Sequence, residues 1–222
     1  MSQQLVVVTT PDWDAASGTL RRYERGTGES WRAVEAAVDV TIGRKGSAWG
    51  LGLHPPQSGP QKREGDGRAP AGVFGIGTAF GYAESTATKL SYAAMGATDW
   101  CIDVPASPHY NRLVDSRDIG ADAVAGSTEP MRRDLHVDGD MLYEVGFVVE
   151  HNADAVRDAG SCIFAHVWRA PGKPTAGCTA TDEASMRALL AWLDRTKSPT
   201  FVLLTVEQHR RLRTDWELPP VD

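Results

Sequence analysis

The chain has 222 residues, 41% of them hydrophobic and 23% charged, which excludes collagen-like, coiled-coil and wholly disordered chains. Its formal net charge is −6 and its densest basic spots are the doublets Arg132-Arg133 and Arg210-Arg211, so nucleic acid is not an expected partner. No run of 18 apolar residues occurs, so membrane insertion is not expected, and a chain of this length reads as one domain, residues 1–222, able to fold without metal or disulfide.

Leu5–Thr10 is apolar and β-branched and predicts a strand that ends at Pro11 and Asp12. Thr19–Tyr23 predicts a returning hairpin strand, and Val38–Ile42 another short one closed by Gly43 and Gly46. Residues 54–70 hold almost nothing apolar and predict a long polar loop, functional or mobile. Val73, Phe74 and Ile76 are short-strand material between glycines, and residues 97–130, broken by Pro105, Pro108, Gly120, Gly126 and Pro130, read as irregular. Met141–Glu150 predicts a strand with a possible bulge at Gly146. Cys162–Trp168 predicts a second, and Thr200–Val206 a third buried on both faces. Met186, Leu189, Leu190 and Leu193 recur at i, i+3, i+4 and i+7, which predicts a helix over about 181–196. Thr179 and Thr181 are its candidate N-caps, and Asp182 and Glu183 suit its positive end. Glu207–Arg213 predicts a shorter polar helix.

Alternation in the segment CIFAHVW puts Cys162, Phe164, His166 and Trp168 on one strand face. A histidine there reads by default as a satisfied core residue. The loop that follows, RAPGKPTAGC, ends at Cys178 directly ahead of the long predicted helix, where positive potential lowers a thiol pKa. Gly177 allows φ > 0 or a close backbone approach, and the N–H groups of Gly177, Cys178 or Thr179 are candidates for an oxyanion hole. The expected constellation is a Cys178 nucleophile with His166 as its base. Cys162 and Cys101 read as small buried hydrophobes, with a disulfide between them as the alternative. His136 and His151 flank the 141–150 strand, but their spacing with His166 matches no zinc signature. Tyr143 and Trp168 read as core aromatics, and Arg169 and Lys173 either attract a substrate carboxylate or are solvated surface.

The segment GSCIFAHVWRAPGKPTAGC resembles the active-site segment of the L,D-transpeptidase (YkuD-type) family, in which a strand bearing His is followed after a dozen or more residues by a Ser/Thr-x-Gly-Cys turn. Here these positions are His166 and Thr175-Ala176-Gly177-Cys178. Residues 62–77 look like the family's Pro-x-Gly strand start, and 141–152 like the strand before the catalytic His, so the resemblance covers about residues 3–206. It implies a mainly β fold of two packed mixed sheets in a sandwich with a few peripheral helices. It also implies acyl transfer on peptidoglycan stem peptides or muropeptides through a Cys178 thioester. His166 would be the general base, oriented by a backbone carbonyl near Val167, and Gly177 would sit at the oxyanion site. No metal or organic cofactor is required, and carbapenem β-lactams are expected to acylate the thiol. Thr175, Arg169 and Asn152 are the candidate substrate-binding residues, with a turn-capping role the alternative for Asn152. The chain departs from the family at Ala176, where many members have His, and at Thr179-Ala180, where many have Arg or Asn. Two other readings stay open: a different Cys–His amidohydrolase or peptidase, and a non-catalytic cell-wall binding module. The substrate implies a periplasmic or cell-wall location. The first residues show no basic segment or cleavage site, which leaves a cytoplasmic alternative.

Overall fold

The computed structural model describes residues 2–221. In chain order its strands are β1 (Gln4–Thr10), β2 (Ser17–Glu24), β3 (Arg32–Ala33), β4 (Val38–Thr41), β5 (Ser47–Trp49), β6 (Ala69–Gly81), β7 (Tyr92–Ala94), β8 (Asp99–Cys101), β9 (Leu113–Asp115), β10 (Glu129–Pro130), β11 (Val145–Val149), β12 (Phe164–Val167), β13 (Thr179–Thr181) and β14 (Thr200–Thr205). The helices are α1 (Ser116–Ile119), α2 (Arg133–His136), α3 (Glu183–Trp192) and α4 (Val206–Leu212).

The mainly β character expected from the sequence is present, but the sandwich is not. Eight strands run in the order β1-β14-β6-β11-β12-β13-β4-β2, and β2 pairs back onto β1, so the sheet closes into a mixed barrel. A sandwich needs two sheets with separate edges; here β1 is bonded on both sides, parallel to β14 and antiparallel to β2, and no edge remains at that seam. A separate three-stranded sheet, β10-β8-β9, packs beside the barrel.

Residue choice explains most elements. β1 and β14 are runs of Val, Leu, Phe and Thr, nearly all buried, as the central pair of a closed sheet requires. α3 is capped by Asp182, whose carboxylate accepts from Ser185 N at 2.8 Å, and not by Thr179 or Thr181. Its Met186, Leu189 and Leu190 pack into the main core with Phe147 and Phe201. α4 is capped by the Thr205 hydroxyl. The longest strand, β6, runs through the glycine-rich segment that reads as short-strand material in sequence. Its glycines are contact points: a Cβ on Gly75 would lie 2.1 Å from Glu150 Oε2, and one on Gly72, at φ +140°, 1.9 Å from His54 Nε2. Gly146 makes no bulge; the register shift in β11 falls between Phe147 and Val149. What Gly146 provides is close packing, since a Cβ there would sit 2.4 Å from Ala165 O.

The polar loop 54–70 is pinned at several points. Lys62 Nζ bonds Asp66 Oδ1 at 2.6 Å, and Glu64 accepts from Tyr110 Oη and from Ser161 Oγ, the latter at 2.6 Å. Cys162 lies outside the strand, in the left-handed region at φ +54°, so it does not share the alternating face of His166. It forms a disulfide with Cys101 of β8, the alternative to two buried thiols. That bond ties the small sheet to the start of β12.

Candidate active site

β12 and β13 are adjacent and parallel, with His166 opposite Ala180. Parallel neighbours need a crossover of about a dozen residues, and the stretch 168–178 is that crossover. The His-to-Cys spacing is therefore the length of chain needed to return beside the same strand. Cys178 sits two residues before Ala180, on the same face, so its Cα lies about 8 Å from that of His166 by strand geometry. Both line a single cleft of about 330 Å³.

His166 is almost fully buried, and its Nδ1 lies 2.7 Å from Val167 O. A carbonyl only accepts, so Nδ1 carries the proton and Nε2 keeps the lone pair of a base. Burial is the main cause that pushes its pKa down to about 4, so the ring is neutral at ordinary pH. Cys178 Sγ accepts from Phe164 N at 3.3 Å and lies 3.5 Å from Cys162 O. Burial first, and the Glu129 carboxylate second, push its thiol up to about 12. This overturns the expectation of a thiolate at a helix N-terminus. β13 intervenes, α3 begins five residues beyond Cys178, and the macrodipole falls off within its first turn. The resting pair is a neutral thiol beside a neutral imidazole.

Gly177 has no positive φ; a Cβ there would lie 3.0 Å from Arg68 O, so close approach of the 54–70 loop is its constraint. Its N–H donates to Thr175 Oγ1 at 3.1 Å, and the same hydroxyl donates to Cys178 O at 2.6 Å. Thr175 thus holds the turn that ends at Cys178, its hydroxyl is committed within that turn, and Gly177 N–H is not a free oxyanion donor. Arg169 borders the cleft with its side chain 65% exposed and bonds Asp140 Oδ2 at 2.5 Å. Asn152 does not reach the cleft. It is buried at φ +53°, and its side chain bonds Val156 O, Gly160 O and Val156 N, a turn-capping role. His151 is engaged at both nitrogens, by Leu51 N and Ala159 O, and His136 bonds Ala97 O. No group of three or more His, Cys, Asp or Glu side chains placed to hold a metal occurs among the described residues.

Three cleft residues escaped the sequence reading. Tyr143, read as core, presents its ring edge-on to His166 at 5.2 Å between centroids and donates its hydroxyl to Glu129 Oε2 at 2.6 Å. Glu129 is mostly buried, its carboxyl pushed up chiefly by burial, with Arg133 Nη1 3.6 Å away. Arg133 in turn shares Asp140 with Arg169. Glu129 and Arg133 come from the segment around 97–136 that carries no periodic signal. With Arg44 and Lys173 also on the wall, the cleft is rich in cations although the chain is acidic overall. Ala176 and Ala180 line the same cleft and leave it open where a larger side chain would fill it. The chain matches no protein-family model, and no curated protein matches it significantly.

Proposed function

We propose that the protein is a cysteine acyltransferase of the L,D-transpeptidase kind, acting on peptidoglycan stem peptides. The observation that carries the reading is the Cys178–His166 pair: both side chains face one cleft from adjacent parallel strands, and Val167 O fixes the imidazole with Nε2 unprotonated. As Sγ attacks the donor carbonyl, Nε2 takes the thiol proton. The C–N bond of the tetrahedral species breaks, the imidazolium returns that proton to the leaving amine, and a Cys178 thioester remains. An acceptor amine then gives a cross-link, or water gives carboxypeptidase activity. Arg44, Arg169 and Lys173 suit a donor bearing carboxylates. A carbapenem would acylate the same sulfur. An extracytoplasmic location goes with this reading, and the Cys101–Cys162 disulfide supports an oxidising compartment.

Ala176 and Ala180 favour a second reading, a Cys–His amidohydrolase with the same pair and a different amide substrate. The experiment is intact mass spectrometry after incubation with a carbapenem, with muropeptide turnover measured in parallel, on wild type, Cys178→Ala and His166→Ala. An adduct and turnover lost in Cys178→Ala support the transpeptidase reading. No adduct and no muropeptide turnover, with hydrolysis of ordinary L,L-peptides, sink it in favour of the amidohydrolase.

A further inference from the structure

The Cys101–Cys162 disulfide lies directly behind one wall of the cleft. Cys101 of β8 is the cross-strand partner of Glu129 of β10, so the two side chains leave the same face of the small sheet. At the other end of the bond, Cys162 O accepts the Cys178 S–H at 3.5 Å. One covalent link therefore joins the strand pair that carries the cleft carboxylate to the residue that touches the thiol. Tyr143 connects the same parts a second time: its hydroxyl donates to Glu129 Oε2 at 2.6 Å, and its ring stands edge-on to His166. Met131, just beyond β10, is fully buried in one apolar cluster with Cys101, Cys162, Phe164 and Cys178. The small sheet thus supplies part of the burial around the thiol as well as Glu129.

The two ends of the small sheet are held unequally. Among the described residues none of its strands pairs with the barrel. Near β9, Asn111 fastens the segment to the 151–162 loop. Its Nδ2 donates to His151 O and Asn152 O at 2.9 and 2.8 Å, and its Oδ1 accepts from Cys162 N at 2.9 Å. The β10 end reaches toward β11 through the Glu129–Tyr143 hydrogen bond, and Arg133 bonds Asp140 Oδ2 at 3.0 Å. Single hydrogen bonds contribute modestly against the freedom of a long loop, and the disulfide closes one of 61 residues. Without it, Asn111 remains as a hinge, and the β10 end is free to carry Glu129 and Arg133 off the cleft.

We propose that closure of this disulfide switches the site on: it seats Glu129 and Arg133 on the cleft wall, and until it forms that wall is open and Cys178 is accessible to solvent. As regulation of the proposed acyl transfer, this rests on that reading. Closure takes a disulfide-bearing oxidant. One cysteine thiolate attacks it to form a mixed disulfide, and the other cysteine displaces the oxidant. Two electrons and two protons pass from Cys101 and Cys162 to the oxidant, which leaves as a dithiol. Once formed the bond is shielded, because both cysteines are at most 5% exposed and a reductant meets them only after local opening. Before closure, Tyr143 lacks the partner that holds its ring against His166, and the cleft lacks Arg133, so turnover is low although the thiol is accessible.

The test compares wild type with Cys101→Ala/Cys162→Ala, in which Cys178 is the remaining thiol, by reaction with 4,4′-dithiodipyridine at pH 8. An open wall removes Glu129 and part of the burial that raise the thiol. A fall of about two pH units, discounted by a Brønsted slope of about 0.45, makes the reaction roughly tenfold faster, before any gain in access. Glu129→Gln should speed the disulfide-bonded protein and leave the disulfide-free one unchanged. An unchanged Cys178 rate, or equal effects of Glu129→Gln in both forms, would overturn the proposal. Should the double variant not fold, wild type refolded with a phosphine present replaces it, with iodoacetamide labelling read at the Cys178 peptide before and after oxidation. A chain that does not fold without the bond would also overturn the proposal, since the bond would then be structural and not a switch. Muropeptide turnover separates the two readings. Turnover that is lost without the disulfide upholds the regulation, and undiminished turnover overturns it. No turnover by the oxidised wild type, with the thiol responding as expected, would sink the acyl-transfer reading and leave the disulfide's control of Cys178 standing.

Discussion

The resting charge state of Cys178 can be read directly from its reaction rate with a disulfide probe such as 4,4′-dithiodipyridine. With the thiol raised to about 12, thiolate at pH 8 is about one part in ten thousand, against about one in ten for a thiol at 9.0. The thousandfold deficit is partly offset because a more basic thiolate is a better nucleophile. With a Brønsted slope of about 0.45, three pH units return about twentyfold. The net expectation is a rate about fiftyfold below that of an ordinary thiol, before any steric slowing by the cleft. The logarithm of the rate should rise with unit slope from pH 6 to pH 10. Glu129→Gln removes the second-largest cause of the raised pKa and should speed the reaction, by about 3.5-fold for each unit the thiol falls once the same Brønsted slope is applied, with the pH slope unchanged. Cys178→Ala should not react. A rate plateau that begins below pH 8 in the wild type would mean a preformed thiolate–imidazolium pair and would refute the burial argument.

Reduction of the Cys101–Cys162 disulfide, 61 residues apart, should lower stability by about 4 kcal/mol on the loop-entropy estimate, read as a drop in the urea midpoint; an unchanged midpoint would deny the bond a structural role. Gly146→Ala should destabilise by about 1–3 kcal/mol, because its Cβ would meet the Ala165 carbonyl at 2.4 Å, and a wild-type melting temperature would contradict that packing. His151 and His166 both have pKa values pushed down to about 4 by burial, so between pH 6.5 and 4 the unfolded chain binds protons that the native state does not. Stability is complete above that window and falls through it, by at most about 2.7 kcal/mol per pH unit for the two together; His166→Gln should halve the slope, and a flat profile would refute both burial effects.

The strands that the sequence announced are those whose residues do one thing. β1, β2, β4 and β14 are apolar or alternating runs with turn residues at their ends, and local pattern suffices. β6 is hidden because glycine counts as a strand breaker in any local reading, whereas Gly72 and Gly75 are there to admit His54 and Glu150 side chains from elsewhere. Barrel closure is invisible for a related reason: a strand in a sandwich and one in a barrel share the same period of two, and only the β1–β2 and β1–β14 registers distinguish them. His166 and Cys178 were legible as a pair because one short crossover joins their strands. Glu129, Arg133 and Tyr143 reach the cleft by tertiary packing of a segment without periodicity. The thiol's state is not legible locally because Cys178 looks like the helix boundary in sequence, whereas the short strand Thr179–Thr181 and the Asp182 cap stand between it and α3.

The raised thiol pKa and the disulfide belong to one physical arrangement. Cys178 and Cys162 occupy the same apolar cluster, and Cys178 Sγ lies 3.5 Å from Cys162 O. Thiol–disulfide exchange proceeds through the thiolate, so a nucleophile ionised at rest would be a standing hazard to the adjacent Cys101–Cys162 bond. At a pKa of about 12 only about one molecule in a hundred thousand carries the thiolate at pH 7, which outweighs that thiolate's greater nucleophilicity and suppresses the hazard. The burial that protects the disulfide also lowers His166, so the proton transfer from sulfur to Nε2 is unfavourable in the empty cleft. On the proposed acyl transfer it would become accessible when a substrate carbonyl accepts the developing charge, because the sulfur would then form a bond as it loses its proton and would never stand as a free buried anion. On the proposed acyl transfer, the burial shared by Cys178 and the disulfide would make Cys178 a nucleophile only when substrate is bound.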